Sequence, residues 1–157
     1  MQQQLAPVRR DEVGERVIVH RPILARRSVC AGAGVCIDMT PLETALACHR
    51  AWTAKDLDAA MACIADDIVC DAPAGRIEGK AAYRAFLEPF ALSLVGTELL
   101  AAFGDEEKAL LMYDTSSALV ASAPGAECVT VVDGRITYSR FLFDRLPFHL
   151  ARGGGQG

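Results

Sequence analysis

The side chains that could carry chemistry here are a few carboxylates set among apolar residues, six cysteines, three histidines and aromatics at helical spacing. Asp114 is the sharpest of them. The run Leu110 to Thr115 alternates with period two, so Leu110, Met112 and Asp114 share one strand face while Leu111, Tyr113 and Thr115 share the other. A carboxylate in apolar surroundings favours its neutral form, and an acid with a raised pKa suits general acid/base work near neutral pH. The plain alternative is an aspartate bonded for structural reasons or placed at a rim. Asp71, two residues before Pro73, has a pocket reading and a turn-capping one.

The cysteines (Cys30, Cys36, Cys48, Cys63, Cys70, Cys128) contain no C-x-x-C pair, and the histidines (His20, His49, His149) show no H-x-x-x-H or H-x-x-E-H spacing. No metal site is therefore expected. No cofactor is expected either: the Gly32-Ala-Gly34 pair has Ile37 where a dinucleotide loop needs its third glycine. Scattered free thiols fit a reducing, cytoplasmic setting. Cys128 could act as a nucleophile only beside a base, and a buried inert thiol is its ordinary reading. Trp52 follows Cys48 by one helical turn, and Tyr83, Phe86 and Phe141 also read as core or as pocket lining. His49 reads as an ordinary helix histidine beside that stripe. Glu127 and Arg140 read as outer or edge residues in an ion pair.

These residues need elements to position them. Thr40-Pro41-Leu42-Glu43 is a capping box that opens a first helix ending near Ala54. Asp56 caps a second helix expected over Leu57 to Ala65, and Ile68 to Ala72 reads as a short strand. Arg76-Ile77-Glu78 is its return, and Gly79 leads into a third helix. After Gly96 the period becomes two, which predicts strands over Thr97 to Phe103, Lys108 to Leu119, Ala126 to Val132 and Arg135 to Asp144. Asp133-Gly134 is a hairpin signal. Helices first and a meander afterwards is an α+β layout. Neither face of the late strands is polar, so helices are expected over one face and a second copy of the chain over the other, with Leu111, Tyr113, Ile136, Tyr138 and Leu142 outward.

The 157 residues, 52% hydrophobic and 23% charged, make one globular domain, and a net charge of −4 argues against a nucleic-acid partner. Residues 1–38 hold six arginines and four acids, a balance of +2, against −6 for residues 39–157. They show no periodic apolar face and read as a flexible extension. The apolar stretch from Ser28 to Ile37 is too short for a membrane span and poor as a signal peptide. Residues 39–148 form the domain, and residues 149–157 read as a flexible tail.

Lys55-Asp56-Leu57-Asp58, Ala65-Asp66-Asp67-Ile68, Gly79-Lys80-Ala81-Ala82-Tyr83, Val132-Asp133-Gly134-Arg135-Ile136 and Phe143-Asp144 occur in an order that resembles a SnoaL-like member of the nuclear transport factor 2-like superfamily. The resemblance implies a cystatin-like cone: a curved antiparallel sheet wrapped by N-terminal helices around a mostly apolar pocket, commonly as a dimer. It points Asp114 into the cone. It also covers ketosteroid isomerases, polyketide cyclases, limonene-epoxide hydrolases and non-catalytic binders, so it does not choose a function. Alignment on Ala65-Asp66-Asp67 and Pro73 puts the isomerase base on Ala72, or on Asp71 after a one-residue slip. The two oxyanion groups fall on Cys48 and about Cys128. The epoxide-hydrolase Arg-x-Asp falls on Met112-Tyr113-Asp114, with Phe141 at the second aspartate.

The expectation is therefore a homodimer that binds a small, largely hydrophobic molecule, with Asp114 as a cofactor-free acid/base of isomerase or cyclase type. Its pocket would be lined by Cys48, Trp52, Tyr83, Phe86, Met112, Cys128, Phe141 and Asp71. The alternatives are a non-catalytic binding or scaffold module and, more weakly, an epoxide-hydrolase-like enzyme. No nucleic-acid or membrane partner is expected.

Overall fold

The structure is a computed structural model that describes residues 39–153. The expectations for residues 1–38, and for the last four residues, lie outside the described residues. Helix α1 (Pro41–Thr53) begins at the expected capping box. Thr40 Oγ1 accepts the N–H of Glu43 at 3.2 Å, and the Glu43 carboxylate takes the N–H of Thr40 at 2.7 Å. Asp56 caps α2 (Leu57–Ala62) by accepting the N–H of Ala59. That helix ends three residues before the expected Ala65. The β-branched Ile64 belongs instead to β1 (Ile64–Ala72), which takes in the expected strand from Ile68, because pairing with the last strand outweighs local helix preference. Next come β2 (Gly75–Glu78), α3 (Lys80–Ser93), β3 (Leu94–Gly104), β4 (Lys108–Ser117), β5 (Ala123–Val132), β6 (Arg135–Phe143) and α4 (Leu146–Gly153). The sequence reading has no counterpart of α4, which takes in residues 149–153 of the expected tail.

The six strands form one curved, open sheet in the order β2-β1-β6-β5-β4-β3. Every pair is antiparallel except β1–β6, which is parallel. Asp133 (φ 50°) and Gly134 (φ 71°) make the expected two-residue turn between β5 and β6. Helix α1 lies across β3 to β6 on the concave face, where Cys48, Trp52, Leu99, Leu111, Tyr113 and Ile136 are buried.

Two expectations about the faces are overturned. In β4 the residues sharing a face are as read, but the sides are exchanged: Leu111 and Tyr113 are buried under the helices, while Leu110 and Met112 are about half exposed on the convex side with Asp114. Ile136 does not share a face with Tyr138, because a bulge at Thr137 inserts one residue into β6. Ile136, Ser139, Phe141 and Phe143 therefore face inward, and Tyr138, Arg140 and Leu142 face outward.

Candidate functional site

Inside the cone the aromatic side chains leave a cavity of about 70 Å³. A water needs roughly 10–15 Å³ in this measure, so there is room for a few waters or one compact molecule. Trp52 comes from α1, Tyr83, Phe86 and Phe90 from α3, Tyr113 from β4 and Phe141 from β6. Their rings are mutual neighbours: Trp52 stands edge-on to Tyr113 at 5.6 Å, Phe86 edge-on to Phe141 at 6.2 Å, and Tyr113 stacks on Phe141 at 6.5 Å. The ring of Tyr113 can lie down over β5 because its partner there is Gly125, where an added Cβ would stand 3.1 Å from Tyr113 Cε2.

One carboxylate opens into this apolar space, and it is Glu127 of β5. Its Oε1 accepts two hydrogen bonds, from Ser139 Oγ at 2.7 Å and from Tyr83 Oη at 3.3 Å, and no described donor reaches Oε2. Burial raises the Glu127 pKa above its ordinary value, and the two hydroxyls offset part of the rise. The surrounding acids are pushed the same way. Desolvation, with the Glu127 charge behind it, lifts the Tyr83 and Tyr113 phenols well above their usual range and the Cys70 thiol to about 11. Of this set the carboxyl is by ordinary pKa the strongest acid. Tyr113 Oη and His49 Nε2 are buried without a partner among the described residues, on rings 4.9 Å apart. Burial lowers the His49 pKa to about 4, so its imidazole is neutral.

Of the residues expected in the pocket, Trp52, Tyr83, Phe86 and Phe141 line it. Cys48 is buried in the core beneath α2, its thiol 3.9 Å from the Ala60 carbonyl, and does not line the cavity. Met112, Asp114, Cys128 and Asp71 are on the convex face, one strand position out of phase with the inward residues. Asp114 accepts from Ser122 Oγ at 2.6 Å and from the Ala123 N–H at 2.8 Å, which ties it into the β4–β5 connection on the face away from the cavity. Asp71 accepts from Tyr138 Oη at 2.8 Å and lies 3.6 Å from Arg76 and 3.8 Å from Arg140.

Glu127 is the reverse correction: the expected surface ion-pair residue is buried. Its strand offered the signal, since Glu127 alternates with Val129 and Val131, the more apolar side of β5. Among the described residues no three His, Cys, Asp or Glu side chains could together hold a metal ion. No helix there is long and apolar enough to cross a membrane.

A wider groove adjoins the cavity at the mouth of the cone and shares Phe86, Phe90 and Phe143 with it. Helix α4 flanks this groove, with Phe148 edge-on to Phe143 at 6.0 Å.

The family model for the SnoaL-like domain matches residues 45–139. No curated protein matches the chain. Among solved structures, a protein from Kribbella flavida is 58% identical, with a TM-score of 0.72 over 73% of this chain and 95% of that one. An NTF2-like protein of unknown function from Cytophaga hutchinsonii is 18% identical, with a TM-score of 0.62 over 73% of this chain and 99% of that one. An LEH-like epoxide hydrolase from M. tuberculosis is 20% identical, with a TM-score of 0.58 over 71% and 87%. The last two share the fold.

Proposed function

The chain belongs to the SnoaL-like domain family, and from that premise we propose that its cone takes up a small, largely hydrophobic molecule and presents it to Glu127 as a proton-carrying group. The carrying observation is a single buried carboxylate, with raised pKa and one oxygen left without a donor, in a cavity otherwise walled by rings. A neutral carboxyl there donates through Oε2 to a ligand oxygen and acts as a general acid. Asp114, as the surviving aspartate of the epoxide-hydrolase pattern, lies on the opposite face of the sheet and does not line the cavity.

A non-catalytic binder is the second reading. It is favoured by the missing second proton carrier: the phenols and the Cys70 thiol around Glu127 are all held protonated. Carboxyl-selective NMR titration tests the shared premise, with a Glu127 pKa above 4.5 expected; a normal or depressed value ends both readings of Glu127. Glu127→Gln then separates them, since an enzyme loses turnover and keeps affinity while a binder keeps both its ligand and its behaviour.

We also propose that two copies pair through the convex face. Met112, Ala126 and Leu142 lie in one row across β4, β5 and β6, with Leu110 and Cys128 in the next. Leu110, Met112 and Leu142 are each about half exposed, a band that a soluble monomer seldom leaves open. Leu142→Glu should give a monomer by light scattering. A monodisperse wild-type monomer would remove this assembly.

A further inference from the structure

The inner cavity and the mouth groove are two compartments of one site. Phe86, Phe90 and Phe143 line both, so these rings are the wall between them. Their chemistry differs sharply. The inner compartment is lined by no lysine, arginine or histidine, and its one ionisable carboxyl is Glu127. A ligand anion there would be stripped of water with no cation to meet it. The groove, in contrast, is lined by Arg145 and His149 and by no acidic side chain. Arg145 has no ion-pair partner among the described residues. The neighbouring Asp144 carboxylate is turned to the N–H of Leu146 at 2.9 Å, at the start of α4.

Resting on the reading that the inner cavity takes an apolar group, we propose that the ligand is a small carboxylic acid, its compact apolar head inside the ring wall and its carboxylate at Arg145 and His149 in the groove. The spacing suits a short tether. Phe143 belongs to the wall and Arg145 follows it by two residues, about 7 Å of extended backbone, with the guanidinium reaching further. Arginine is suited to the task because its planar fork binds a carboxylate with two parallel hydrogen bonds. The arrangement also sets orientation, since the head end meets Glu127 and the charged end never does.

The test uses two probes of the same shape, 4-methylpentanoate and its neutral amide, 4-methylpentanamide, titrated into the full chain by calorimetry. Trp52 is the only tryptophan and lines the inner cavity, so its emission reports whether the head enters. Both probes should shift Trp52 emission, with the carboxylate binding about tenfold tighter and its advantage shrinking in high salt. Arg145→Ala should erase that advantage and leave the amide unchanged, and Arg145→Lys should restore part of it. Equal binding of the two probes, or an advantage that survives Arg145→Ala, overturns the carboxylate inference while the inner cavity stands. Failure of both probes to shift Trp52 emission overturns the cavity reading and this inference with it.

Discussion

Glu127 on the concave face and Asp114 on the convex face are both carboxylates on neighbouring central strands, and each accepts two hydrogen bonds. Around Glu127 the donors are two hydroxyls inside a ring-lined space, and desolvation raises its pKa. Around Asp114 they are Ser122 and the backbone at a turn, and the carboxylate holds the β4–β5 connection in place. The same functional group thus lines a ring-walled cavity on one face and is a structural tie on the other. What separates them is one strand position, because successive side chains point to opposite faces of a sheet.

The harshest way to break this comparison is to put a charge on two adjacent residues in turn. Leu111→Asp buries an unpaired carboxylate under α1 and should cost several kcal/mol, enough to abolish the cooperative melt seen by circular dichroism. Leu110→Asp lies in the convex band and should keep a cooperative melt, even though it breaks the pairing of copies. If the two behave alike, the assignment of faces is wrong.

Acidity gives the next largest effect. His49 falls from 6.5 to about 4 on folding, so the unfolded chain binds more protons than the native one in that window. Stability should drop as pH falls through it, by about 3 kcal/mol in full. Glu127 works oppositely. Its raised native pKa contributes stability that is complete below 4.5 and is lost as pH rises through the native value. Chemical denaturation across this range should therefore show a partly cancelled profile, steeper in Glu127→Gln, whereas His49→Phe should leave the opposite slope, with stability falling as pH rises above 4.5. An unchanged profile in both variants would mean that neither group is buried in solution.

Two smaller tests sharpen the contrast. Asp114→Asn weakens two hydrogen bonds to a charged acceptor and should cost about 1–2 kcal/mol in chemical denaturation without moving Trp52 emission. Gly125→Ala should cost about 1 kcal/mol and should move that emission, because the added Cβ meets the Tyr113 ring at 3.1 Å. Should Asp114→Asn perturb Trp52 as well, the two faces are coupled.

Much of the scaffold was legible. The capping box at Thr40, the Asp56 cap, the Asp133-Gly134 turn and the late run of strands are local signals, and local sterics decide them. Period two also sorted β4 correctly into two sets of residues. It could not say which set faces the helices, because Leu110 and Met112 are as apolar as Leu111 and Tyr113; the alternation has a phase but almost no amplitude. The register of β6 was hidden for another reason: the extra residue at Thr137 is fixed by pairing with β5, which no local pattern in β6 reveals. Glu127 was lost to its residue type. A glutamate reads as surface until the valines alternating with it are given more weight than its charge.

The parallel pairing of β1 with β6 has a kinetic side. Strands β3 to β6 are joined in sequence by short turns and can zip up from neighbour to neighbour. Ile64, however, must find Ile136 across almost the whole domain, and contacts between such distant positions are the slow ones to form. The meander is therefore expected to act as the folding nucleus, with β1, β2 and the helices docking afterwards. The ring-lined chamber would exist only once that last event is complete, and Trp52 emission in stopped-flow refolding should lag behind the far-ultraviolet signal of the meander.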